Sequence, residues 1–267
     1  MKKPTVLLVC PHPDDGEMGC GEFCVQAINA NWNVHELLMT TDEYGTTRNK
    51  FKGERIKAIR KKEMIRAARR YGLDENNNSK LNLHWANYID GFTPCNKTSI
   101  FRLQKFILKI KPSIIIGPDP FAYYDAHKDH IATGKNFYFA LKWMNPEKRP
   151  KIILFYYSYM PDFFLPSVNP EVLNYVRRSH KSQWSENFIK FFGNIQKFLY
   201  AFRWIKNTGA RKSEGYRTVT FKQNDLHPKG FAKILFQLIK YRGYNEEHFV
   251  PTPQELNLNL QPEGDIE

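Results

Sequence analysis

Two short polar clusters carry the residues best suited to chemistry, and each stands directly behind an apolar run. The first is His12, Asp14 and Asp15 in "VLLVCPHPDD" (6–15). The second is His127, Asp129 and His130 in "HKDH" (127–130), a short way past the apolar "SIIIG" (113–117). The edge of a core has no structural use for so much polarity, whereas imidazoles and carboxylates are the ligands of a divalent cation. Two imidazoles and one carboxylate drawn from separate loops make a three-ligand site that keeps a position open, the catalytic pattern for zinc, although other divalent ions accept the same donors. His12 and Asp15, three residues apart across a turn, are the expected ligands of the first loop and His130 that of the second. Asp14 must then point elsewhere in the same pocket, where it can take a proton from a water as general base. His127 is left to stabilise an oxyanion or protonate a leaving amine, with Asp129 beside it to orient the ring. Either cluster by itself reads equally well as a capped helix start. Their joint occurrence behind two buried strands points to a metal.

Positioning these clusters requires a sheet. "TVLLVC" (5–10) is short, apolar and rich in β-branched residues, as a strand buried on both faces should be. Pro13 stands where a helix can begin, and Met18, Phe23, Val25, Ala27 and Ile28 then recur at helical spacing. A second strand is expected at 34–41, a basic helix over 53–72 stopped by Gly72, a strand near 82–89, a helix at 98–110, and further strands at 113–117 and 152–158. This alternation predicts an α/β fold, a Rossmann-like parallel sheet with helices on both faces, followed by a C-terminal, mainly helical extension. Ligands of such sheets bind beyond the carboxyl ends of the strands, where both polar clusters lie.

Composition bounds the rest. A chain of 267 residues with 42% hydrophobic and 15% aromatic residues can bury a real core, which excludes wholesale disorder. The formal net charge of +13 favours an anionic partner. No nucleic-acid-reading motif accompanies that charge, and the basic residues are spread over helices, so a nucleic-acid partner is not expected. Cys10, Cys20, Cys24 and Cys95 have neither disulfide nor zinc-finger spacing and read as reduced thiols of a cytoplasmic protein. No apolar run reaches the ~20 residues of a membrane span.

The texture changes late in the chain. The expected division is a core over 1–180, a basic amphipathic helical region over 181–250 and an extended tail over 251–267. The segments 185–206 and 231–244 set Phe, Leu and Ile on one face and Lys and Arg on the other. Two readings stay open: they cover the sheet or a homo-oligomer interface, or they lie on an anionic membrane surface as a peripheral anchor.

"PHPDD" followed by Glu17, with "HKDH" further on, resembles the PIG-L/LmbE-like family of zinc-dependent N-acetylglucosaminyl deacetylases. The resemblance implies a Rossmann-like domain, a Zn2+ cofactor and removal of an acetyl group from a GlcNAc-containing substrate. It also implies that Arg60, in the Arg-x-x-Glu pair with Glu63, and Asp90, in "YIDG", bind substrate. Their plainer alternatives are a helix-surface ion pair and a turn-forming Asp-Gly. "HKSQ" (180–183) resembles a further family segment, in which His180 has a structural reading. Lys128 and Gly16 depart from the family pattern without removing a ligand. The high positive charge turns the substrate expectation toward a lipid- or inositol-phosphate-linked GlcNAc, with soluble chitobiose-type sugars or GlcNAc-thiol precursors as the alternative. A non-catalytic basic protein that binds sugar, lipid or nucleic acid is the reading from a different class.

Overall fold

The computed structural model describes residues 3–122, 127–158, 160–185, 187, 189, 213–221, 246–260, 262 and 264–266. β1 (Thr5–Cys10) is buried along almost its whole length and lies between β2 (Asn33–Thr40) and β4 (Ile114–Pro118), parallel to both. β3 (Leu81–Tyr88) flanks β2 and β5 (Ile152–Tyr156) flanks β4, again parallel. Two antiparallel strands, β6 (Phe163–Pro166) and β7 (Ser213–Thr218), complete a seven-stranded sheet of order β3-β2-β1-β4-β5-β7-β6.

Alternation along β1 divides the core into two layers. Val6, Leu8 and Cys10 pack with Phe23, Met64, Ala67 and Val176, from α2 (Gly21–Asn29), α3 (Glu54–Tyr71) and α6 (Pro170–Arg177). Leu7 and Val9 face Leu103, Phe106, Phe137 and Leu141, from α4 (Lys97–Ile110) and α5 (Lys128–Lys142). The chain leaving β1 therefore enters helices on one face, and the chain leaving β4 enters a helix on the other. Loops that part in this way open a crevice between neighbouring strands, the topological switch point where ligands of open α/β sheets bind. Both polar clusters sit in it.

The later part of the chain departs from expectation. β7 falls inside the stretch 181–250, expected to be helical, and enters the sheet. Its sequence, SEGYRT, has no apolar run, and its burial rests on pairing. Glu214 accepts the backbone N–H groups of Glu22 (2.7 Å) and Phe23 (3.0 Å) at the start of α2, and Tyr216 donates to it at 2.6 Å. Arg217 forms a fork with Asp119, Nε to Oδ2 at 2.6 Å and Nη2 to Oδ1 at 2.7 Å. The tail also docks where an extended arm was expected: Tyr44 donates to Pro251 O, Arg102 to Gly264 O, and Ile266 is buried in the second core layer. The amphipathic segments 185–206 and 231–244 lie, apart from residues 185, 187 and 189, outside the described residues.

Asp119 also accepts the N–H groups of Phe121 and Ala122, each at 2.9 Å, so one buried carboxylate fixes both β7 and the start of the loop that leads to His127. Asp119→Ala removes the carboxylate of the buried Arg217 fork and is expected to cost ~3–5 kcal/mol of stability in urea unfolding. A loss below about 1 kcal/mol would remove the pair from that role.

Candidate metal centre and its surroundings

The first loop is pinned to β2, where Thr40 donates to Pro11 O from both its N–H and its hydroxyl, each at 2.9 Å. His12 N–H donates to Asp15 Oδ2 at 3.0 Å, and a short helix, α1 (Asp15–Gly19), begins at once. Asp14 caps it with φ +115° and ψ −22°, a left-handed conformation that costs a non-glycine residue of order 1–3 kcal/mol. In the second loop His127 is the N-cap of α5, its Nδ1 accepting the Asp129 N–H at 3.2 Å.

The two loops bring three expected ligand atoms together. His12 Nδ1, Asp15 Oδ2 and His130 Nε2 form a triangle in which every edge is 3.2 Å. Donors 2.0–2.1 Å from one ion at tetrahedral angles stand ~3.3–3.4 Å apart, so the triangle fits a small divalent cation. Charge agrees with geometry. Burial opposes a proton on His12, yet Asp90, Asp129 and Asp15 raise its pKa well above the ordinary imidazole value. The carboxylates around His12 thus favour positive charge at this point.

His12 is oriented from behind. Its Nε2 lies 3.1 Å from Asp90 Oδ1 and 3.1 Å from Asp129 Oδ2, which puts the proton on Nε2 and aims the Nδ1 lone pair at the triangle. Asp129 also accepts N–H groups from Gly91 and from Thr93, the latter at 3.0 Å. Burial would raise its pKa, but the His12 hydrogen bond and charge hold it well below the carboxylate range. Asp129 was expected to orient His127. Its carboxylate is instead 3.9 Å from His127 Nδ1, because that nitrogen is engaged by the helix N-terminus, and it serves His12. Asp90, expected to bind sugar, also faces His12, and burial, partly offset by His12, pushes its pKa up to about 8. The helix cap leaves the proton of a neutral His127 on Nε2, and burial followed by the charges of His12 and His130 favours that neutral form.

Arg60 requires a correction. Expected at the substrate, it is 1% exposed inside the buried stripe of α3. Its guanidinium donates to Asp42 and to Pro13 O, and reaches Asp14 Oδ2 at 3.0 Å. It therefore clamps the strained loop and holds Asp14. Burial pushes the Asp14 pKa up to about 6, with Arg60 opposing the rise. The alternative of a helix-surface pair fails only in its setting: Glu63 stands 3.6 Å from Arg60, but it is buried and accepts Ser182 N–H (2.9 Å) and hydroxyl (2.6 Å). Gln183 donates to Gly45 O. His180 is buried with Nε2 3.5 Å from Glu17 Oε2, in line with its structural reading. The Arg-x-x-Glu and His-x-Ser-Gln segments thus meet as scaffolding below the pocket.

Two contributors escaped sequence reasoning. Tyr157 donates to Asp15 Oδ1 at 3.1 Å and stacks on His130, with ring centroids 5.7 Å apart and planes 8° apart. Asp42 receives Arg60. Their signal was position: "TTDE" follows β2 and "YYS" ends the fifth apolar run, both at the carboxyl edge of the sheet.

A family model described as PIG-L, GlcNAc-PI de-N-acetylase, matches residues 7–141. A diacetylchitobiose deacetylase of Thermococcus kodakarensis is 27% identical over 229 residues, 80% of this chain and 82% of the relative. The solved N,N'-diacetylchitobiose deacetylase from Pyrococcus horikoshii, complexed with an inhibitor, superposes with a TM-score of 0.69 at 26% identity, covering 80% of this chain and 83% of the other. A 4-carboxy-2-hydroxymuconate hydratase from Pseudomonas putida gives a TM-score of 0.62 at 16% identity, covering 82% and 97%, a likeness of fold alone.

Because Asp129 would act on a bound ion only through His12, Asp129→Ala is expected to weaken divalent-metal affinity by about 10–100-fold in competition with a chromogenic chelator. His130→Ala is expected to abolish binding. Unchanged affinity in the Asp129 variant would refute the support it is assigned.

Proposed function

The chain belongs to the PIG-L family, and from that premise we propose that it removes the N-acetyl group from a GlcNAc unit of a small soluble, chitobiose-type saccharide, releasing acetate. The observation that carries this reading is the triangle of His12, Asp15 and His130, with Asp14 next to Asp15 in the chain and the His127 ring centroid 4.6 Å from that of His12. Two relatives above 25% identity are named for diacetylchitobiose, which favours this substrate over the lipid- or inositol-phosphate-linked sugar that the net charge suggested. No helix among the described residues is long and apolar enough to cross a membrane.

Zn2+ is the proposed ion, held by His12, Asp15 and His130; when bound it would acidify a water and polarise the acetamide carbonyl. Asp14 takes the proton of the attacking water as the new C–O bond forms. The carboxylate is pre-set for this by Arg60, which fixes its direction, and by burial, which makes it more basic than an exposed aspartate. His127 donates from Nε2 to the oxyanion that develops on the former carbonyl oxygen. Asp14 then returns its proton to the amine nitrogen as the C–N bond breaks, leaving acetate and the free amino sugar. Asp90 and Asp129 keep His12 in the tautomer that binds metal.

Asp14→Asn is expected to retain metal and lower kcat at least ~100-fold in an acetate-release assay, the loss typical of a missing general base. Activity within a few-fold of wild type would exclude Asp14 from that role. Offered N,N'-diacetylchitobiose and vesicles carrying GlcNAc-phosphatidylinositol in parallel, the enzyme should release acetate from the first. Release from the vesicles alone would reverse the substrate assignment.

A further inference from the structure

Near the end of the chain, residues Glu246–Phe249 form a short 3-10 turn that leads into Val250 and Pro251. This strap is bound to the loop after β2 by specific hydrogen bonds. Lys52, only 7% exposed, donates its ammonium to the carbonyls of His248 and Val250. Tyr44 OH donates to Pro251 O at 2.8 Å, and His248 Nε2 donates to Tyr44 O at 3.0 Å. A buried lysine used on two backbone carbonyls is an expensive fastening, since burial lowers its pKa and works against its charge. The strap is thus fixed in place against the loop.

The fastening delivers one aromatic ring to the rim of the proposed active site. Phe249 packs edge-to-face on Tyr44 and on Phe92, each with ring centroids 5.3 Å apart. It lies so close over Gly91 (φ +83°) that a Cβ there would collide with the ring. Lys128 Nζ stands 6.0 Å from the ring centroid. Gly91 is the neighbour of Asp90, and Lys128 lies between His127 and Asp129. Phe249 therefore packs on the loop of Asp90 and lies within cation–π range of Lys128 in the loop of Asp129, one residue outside the groups assigned to the chemistry. It remains half-exposed, as does Phe92, and Lys128 is exposed.

The geometry points to Phe249, carried by the C-terminal strap, as the wall of a second sugar subsite, with Lys128 at its edge. The occupant is the pyranose ring joined to the one that loses its acetyl group. An aromatic ring offers an apolar face to the C–H face of a pyranose, and the lysine ammonium offers donors to its hydroxyls. Such a wall selects a disaccharide over a lone GlcNAc without touching the reacting atoms. This inference rests on the deacetylase reading and deepens it.

The test compares kcat/KM of the full-length metal-loaded enzyme for N,N'-diacetylchitobiose and for GlcNAc. In Phe249→Ala the ratio of disaccharide to monosaccharide is expected to fall about tenfold, and in Phe249→Trp to recover. Lys52→Met, which loosens the strap, should lower the ratio in the same direction. An equal fall for both sugars would give Phe249 a merely structural role, and an unchanged ratio would remove it from the subsite; either overturns the proposal. A wild-type enzyme that deacetylates neither sugar would overturn the functional reading itself, and the subsite with it.

Discussion

Two imidazole nitrogens and a carboxylate oxygen meet at the edge of this sheet with 3.2 Å between each pair. Lone pairs held that close need a proton or a cation between them, so the arrangement is a constraint that the surrounding structure must enforce. It does so in layers. The strand order puts the loops after β1 and β4 side by side, Asp90 and Asp129 fix the tautomer of His12, and Tyr157 braces both Asp15 and His130. None of these supports would be needed by a fold that merely closed its core.

The same theme governs the scaffold. Charged residues here are buried in service of one another: Arg60 with Asp14 and Asp42, Glu63 with Ser182, Glu214 with the start of α2, and Arg217 with Asp119. Such pairs add little net stability compared with apolar packing, but breaking one is costly. Their effect is positional. They hold loops in register at the carboxyl edge of the sheet, where a shift of an ångström would dissolve the ligand triangle.

Much of this was legible in the sequence because it follows from period and polarity. Five strand-like segments named the parallel strands, Gly72 marked the end of α3, and the two polar clusters behind β1 and β4 held the three donor atoms that the fold brings together. What escaped has a common physical cause. β7 is buried through hydrogen bonds and ion pairs, so hydropathy carries no trace of it. Arg60 and Asp129 were recognised, but their targets were not, because spacing shows which residues share a face and not which partner wins a contested proton. Asp42 and Tyr157 stood at strand ends, in polar or aromatic company that a turn would explain as well.

The left-handed backbone at Asp14 sets two demands against each other. Geometry at that position would be eased by glycine, while the chemistry proposed for it requires a carboxylate. Drift toward a more comfortable loop would therefore yield a sturdier protein with nothing to activate its water. At this one residue, selection for persistence and selection for turnover pull in opposite directions, and the Arg60 clamp is what lets the second prevail.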